Sequence, residues 1–195
     1  MADKNFINWD AYVAEEAELE SLSDPEEAAI RKRMLYKIYE SAIDYNAHIN
    51  DYNYMKHCQL IESRGLVFKT IAKRTATEKW DHFFASHLSA AQKRKIFYSR
   101  FKWHMFSYEM CDAIEGDAAN DAFDLCQKDS AYLFIQCTDE AWKINNANLL
   151  TAADLNVDYS FERADVYIFD TEGKWFYVRT HESACGPYFF SKVQL

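Results

Sequence analysis

The sequence predicts an α+β protein in which N-terminal helices pack on a C-terminal, mainly antiparallel β-sheet. Three observations carry that expectation. Only 4 Gly and 2 Pro interrupt 195 residues, which leaves long stretches without breakers and favours helices over a many-turned all-β fold. Apolar residues recur at helical spacing in the first part of the chain, whereas after residue 130 they form short runs separated by turn residues. With 49% apolar and 16% aromatic residues, there is ample material for a packed interior. The length suits a single unit over 1–195, with a helical part at 1–64 and an α+β core at 65–195.

Taken in order, the acidic first 25 residues carry a few apolar anchors, Phe6, Ile7, Trp9, Tyr12, Val13 and Leu19, and read as a short docked helix. Ser23, Asp24, Pro25, Glu26 and Glu27 form a helix start, with Ser23 or Asp24 as cap and carboxylates at the positive end of the dipole. No Gly or Pro follows until Gly65, and Leu35, Ile38, Ala42, Tyr45, Ile49 and Tyr52 lie along one helical stripe. Packing of that stripe within the chain is preferred over a dimeric coiled coil, with monomer and homodimer both open. Leu66 to Phe68 reads as a short strand or an extended connector.

Thr77 is expected to cap a helix through Trp80 and Leu88, Ser89 to start another through Phe101, and Glu115-Gly116-Asp117 to open a last helix. Tyr132 to Cys137 and Ala141 to Asn145 read as neighbouring strands. Asp165 to Asp170 and Trp175 to Thr180 flank a turn in which Gly173 can take positive φ, the clearest hairpin in the chain. Pro187 followed by Tyr188, Phe189 and Phe190 suggests a final edge strand.

Net charge is −9 and unevenly spread: residues 69–102 carry +7 and residues 105–172 carry −12. The long-range field disfavours nucleic acid as a partner, while the basic segment either touches an anionic partner or pairs with the chain's own acidic half. No run approaches the roughly 18 apolar residues of a membrane span, and the acidic N-terminus lacks the basic start and apolar stretch of a secretory signal. The five cysteines are scattered without a CxxC pair, which suits reduced thiols in a cytoplasmic protein.

Over roughly residues 78–190 the chain resembles a family of small, uncharacterised bacterial proteins catalogued as a domain of unknown function. The resemblance rests on Phe106-Ser107-Tyr108-Glu109, Gly116, Ala122-Phe123, Asn146-Ala147, Leu150, Asp154-Leu155, Asp165, Tyr167-Ile168, Asp170, Trp175 and Tyr177-Val178. It closes on Thr180-His181-Glu182 and Cys185-Gly186-Pro187-Tyr188-Phe189. It implies a bacterial origin and no particular activity.

His181, Glu182 and Cys185 are the most chemical-looking cluster, because imidazole, carboxylate and thiol fall within five residues. A thiolate nucleophile needs a base such as His181 to lower its pKa. With Gly186-Pro187 beside it, the preferred reading is a turn whose polar groups tie down its own backbone. Asp165 or Asp170 with Glu172 and Lys174 loosely echoes a metal-dependent nuclease, but the last two flank Gly173 at an exposed hairpin tip. His82 and His87 lie about 140° apart on a helix and cannot share an ion. The basic run Lys93-Arg94-Lys95 with Arg100 and Lys102 interleaves aromatics, as a solvated helix face over a core also does. Tyr108 and Glu109 line a pocket or form a buried hydrogen-bonded pair.

No phosphate loop, nucleophile elbow or dinucleotide fingerprint occurs, so neither a cofactor nor a metal is expected. The sequence therefore favours a non-enzymatic acidic protein-binding module of a bacterium. Its sharpest form is an immunity or antitoxin-like inhibitor that occupies the basic active site of a toxin. Tyr108, Glu109, His181 and Glu182 are the candidate binding residues. The alternative is a small hydrolase using His181, Glu182 and Cys185.

Overall fold

The computed structural model describes residues 8–136, 138–155, 164–182 and 184–192. The chain divides into two compact units, Met1–Lys56 and His57–Leu195. No helix among the described residues is long and apolar enough to cross a membrane.

In the first unit, α1 (Trp9–Leu19) begins where the Asn8 side chain accepts the Ala11 N–H at 3.2 Å. Helix α2 (Pro25–Ser63) begins at Asp24, whose Oδ1 accepts the N–H groups of Glu26 and Glu27 at 2.9 and 3.3 Å. Pro25 stands at the position where a missing N–H costs nothing. Trp9 and Tyr12 set their rings 5.8 Å from that of Tyr39, and Arg31 bridges Glu27 at 2.6 Å and Glu15 at 3.5 Å. Because α1 has 11 residues against the 39 of α2, it spans about 16 Å of a helix about 58 Å long. Ala42 is buried and Leu35 half-buried, while Ile38, Tyr45, Ile49 and Tyr52 stay exposed. The expected internal packing of the whole stripe is thus not met among the described residues.

The end of α2 belongs to the second unit. Ile61 enters its core, the His57 Nε2–H donates to the Asp154 carbonyl at 2.9 Å, and Arg64 meets the Asp154 carboxylate at 2.7 Å. There follow β1 (Val67–Thr70), α3 (Lys73–Phe84), α4 (Ala90–Lys95), α5 (His104–Ser107), β2 (Ile114–Glu115), α6 (Asp117–Leu125), β3 (Ser130–Ile135), β4 (Ala141–Asn145), α7 (Ala152–Leu155), β5 (Val166–Asp170), β6 (Trp175–Arg179) and β7 (Tyr188–Ser191). Among the described residues seven strands form one sheet in the order β1-β4-β3-β5-β6-β7-β2, antiparallel at every pairing. The α+β class read from the sequence is the observed one.

The sheet is apolar on both faces. Tyr167, Phe169, Phe176, Val178 and Tyr188 pack with Trp80 and Phe84 of α3 and Phe106 of α5. The alternate residues Ile168, Trp175, Tyr177 and Phe189 pack with Ala119, Ala122 and Phe123 of α6, as the two-residue period of a strand requires. The β5–β6 turn is closed by Asp170, whose carbonyl accepts the Gly173 N–H at 3.0 Å and whose Oδ2 accepts the N–H groups of Glu172 and Lys174 at 2.9 and 3.1 Å. Gly173 has φ 72°, and a Cβ there would lie 2.4 Å from the Phe83 ring. Only glycine meets both demands.

Several local expectations are corrected. Helix α3 starts at Lys73 rather than Thr77, whose hydroxyl donates back to the Lys73 and Arg74 carbonyls from inside the helix. The helix begun at Ser89 opens on a capping box with Gln92 but stops at Lys95 rather than running through Phe101, and Phe97 turns the chain with φ 53°. The helix α6 is followed by the short α7, and β7 is not an edge, because β2 pairs outside it. Cys137 lies outside the described residues.

Burial pushes the Asp154 carboxyl up, but hydrogen bonds from Arg64 and from the Thr151 backbone and hydroxyl outweigh it and hold the group below its ordinary value. A depressed folded-state pKa adds stability above the unfolded-state value of about 3.9, and that stability is lost as pH falls through the folded value. Asp154→Asn should therefore lower stability at pH 7 by about 1–3 kcal/mol, measured by urea unfolding. The gap to the native chain should close below about pH 4. An unchanged gap at acid pH would contradict the assignment.

Candidate functional site

The hairpin register decides which groups meet at the open end of β5 and β6. Val166 pairs with Arg179, so Asp165, one residue before, falls beside the backbone that leaves β6. Its Oδ1 accepts the His181 backbone N–H at 2.7 Å and the ring Nδ1–H at 2.8 Å, and its Oδ2 accepts the Trp103 Nε1–H at 3.0 Å. The Asp165 side chain is 2% exposed and that of His181 31%. A buried carboxyl with three donors is well satisfied, and it selects the tautomer that turns Nε2 away from Asp165. Glu182 Oε1 lies 3.5 Å from that nitrogen.

Aromatic rings extend this centre. The Phe101 ring lies 5.3 Å from His181 and 5.0 Å from His104, which in turn lies 5.5 Å from Tyr108. Tyr108 and His181, distant in sequence, therefore stand at the two ends of one row of rings. His104 is oriented by an Nδ1–H donated to the Ile96 carbonyl at 2.7 Å. Glu109, with φ 54°, closes α5 by donating its N–H to the Phe106 carbonyl at 2.8 Å. Phe97, 63% exposed, holds its positive φ beside this row, a costly conformation for a bulky residue.

Cys185 packs against the same core as Phe101 and Trp103. The Thr180 hydroxyl donates to the carbonyls of Glu182, at 3.0 Å, and of Cys185, while the Gly186 N–H donates to Glu115 Oε1 at 2.8 Å. Burial pushes the Tyr188 hydroxyl up, with Glu115 and Cys185 beside it. The backbone of the Cys185 turn is thus tied down by Thr180 and Glu115, and the cysteine neighbours Tyr188. Asp165 and Asp170 stand at opposite ends of β5, and Glu172 and Lys174 pair with each other across the hairpin turn at 2.5 Å. Among the described residues no group of three His, Cys, Asp or Glu side chains is placed to hold a metal ion.

The charge segments sort onto opposite faces of the sheet. Residues 73–111 hold eight Lys and Arg against three Asp and Glu, and α3 and α5 of this segment cover one face. Residues 112–129 hold six Asp and Glu against one Lys, and α6 covers the other. That Lys128 is buried, its Nζ donating to the Phe123 and Asp124 carbonyls at the end of α6, and burial lowers its pKa although Asp124 opposes the shift. This segment exposes Asp112, Ile114, Asp117, Asp121 and Leu125, the last 80% exposed, whereas Glu115 pairs with Tyr188 and turns to the other face.

Sequence reasoning missed Phe101 and His104 as members of the row and Asp165 as the anchor of His181. The available signal was the hairpin itself, whose register sets Asp165 next to residue 181. Asp165→Ala would strand three donors and should cost about 2–4 kcal/mol, whereas Cys185→Ser should cost less than about 1 kcal/mol. Chemical denaturation of both variants checks this. Equal costs would contradict the anchoring role.

No curated protein and no solved structure matches the chain. Residues 55–189 match the family described as a domain of unknown function, DUF4275. That span begins in the later turns of α2 and ends inside β7, so it takes in nearly the whole of the second unit. It reaches further towards the N-terminus than the segments that carry the resemblance, because the end of α2 and β1 are built into the same core and sheet. The chain belongs to the DUF4275 family.

Proposed function

We propose that this chain is a non-enzymatic, cytoplasmic protein-binding module of a bacterium whose acidic α6 face takes a basic protein partner. Its sharpest form is an immunity or antitoxin-like inhibitor covering the basic active site of a toxin. The supporting observation is the segment of β2 and α6, which exposes Asp112, Asp117 and Asp121 together with Ile114 and Leu125 at the edge of the sheet. Apolar side chains supply contact area, and a ring of one charge supplies orientation and a fast encounter. The one cation of residues 112–129, Lys128, is sunk into the helix end and does not dilute that surface.

The hydrolase alternative needs a nucleophile against His181. It gains no support from the placement of Cys185 beside Tyr188. Tyr108 and His181 stand on the face covered by α3 and α5, where their row of rings offers a second contact surface.

The test is affinity capture from a lysate of the native bacterium on the immobilised full chain. The native chain and a Lys93→Glu/Arg94→Glu control should retain a basic protein, and Asp112→Lys/Asp121→Lys should weaken its binding by about ten- to a hundredfold. Capture that survives the α6 reversal and fails with the control would overturn the assignment.

A further inference from the structure

Helix α2 carries a second apolar surface that the acidic-face reading does not use. Ile30, Met34, Ile38, Tyr45, Ile49 and Tyr52 are each between 40% and 53% exposed. At 100° per residue they fall within an arc of about 100° over about 33 Å of helix. That arc adjoins the face on which Tyr39 meets α1. Isolated exposed apolar residues are ordinary, whereas a continuous stripe marks an interface.

The stripe is nearly palindromic. Ile38 and Tyr45, and Met34 and Ile49, stand at matching distances on either side of the small pair Ser41-Ala42, and Ile30 and Tyr52 match to within one residue. A two-fold interface between identical helices has this form, because residue i of one chain meets j of the other while j meets i. Charges along one flank agree. Arg33 and Lys37 precede the centre and Asp44 and Asp51 follow it, all within about 40° of arc. In an antiparallel pair a flank faces itself in the reverse direction, so the basic half of each helix meets the acidic half of the other. A parallel pair would not bring these groups together.

We propose that α2 is a homodimerisation helix, pairing antiparallel with a second copy of this chain about a two-fold axis at Ser41-Ala42. Ser41, small and exposed while Ala42 is already covered within the chain, lets the two backbones approach at the axis, and the aromatic and aliphatic side chains fill the ends.

Sedimentation equilibrium of the full chain tests this. The native chain should sediment at twice 22.9 kDa, and Ile38→Lys/Ile49→Lys should be monomeric with unchanged far-ultraviolet circular dichroism. A native monomer at about 100 μM, or a dimer that tolerates both lysines, would overturn the proposal. Orientation is read by charge exchange. Arg33→Glu/Lys37→Glu and Asp44→Lys/Asp51→Lys should each raise the dissociation constant about tenfold, and the combined variant should recover native affinity. Failure to recover would overturn the antiparallel arrangement.

Discussion

The structure depends on the register of the β5–β6 hairpin. These strands are buried on both faces, so their hydrophobic pattern alone selects no register: a slip of one residue would still bury apolar side chains. It would, however, exchange Tyr167, Phe169, Phe176 and Val178 for Ile168, Trp175 and Tyr177 between two cores of different shape. The turn resolves the ambiguity. Asp170 binds three backbone N–H groups and Gly173 lies against Phe83 at positive φ, an arrangement that admits one alignment. The same alignment carries Asp165 to His181, so the candidate site at the far end of the hairpin is set by chemistry at its tip.

Two-faced burial also explains the charge layout. Helices must cover both sides of the sheet, and the chain assigns its basic segment to one layer and an acidic segment to the other. The sheet lies between α3 and α6, so most charges of the two layers do not pair directly. Within the acidic layer, Lys128 spends its charge on the helix-end carbonyls, where a cation meets the negative end of the dipole. The surface field is accordingly more acidic than composition alone suggests, which favours steering of a basic partner.

Strong local signals were legible in the sequence. Asp24-Pro25 marked the start of α2, and the strand patterns around Gly173 marked the hairpin. What could not be read depended on distance or on weak local chemistry. Helix α3 begins after Ala72 without a side-chain cap, so Thr77 offered the more visible but false start. Strand β2 is two residues long, too short to leave a periodic signal, and β7 therefore looked like an edge. The α2 stripe announced an apolar face without saying what covers it, and α1 proved too short to cover it all. Tyr108 and His181 were named separately, while Phe101, which links them, belonged to an aromatic run read as core-facing, and His104 carried no signal of its own.

The central claim is recognition of a basic protein through an acidic face held apart from the basic layer by the sheet. The most direct measurement is the association rate constant with the captured partner, followed by stopped-flow fluorescence as salt rises. Exposed charges are screened beyond about 8 Å at physiological ionic strength, so the account predicts a steep fall in association rate with little change in dissociation rate. An association rate independent of salt would contradict it.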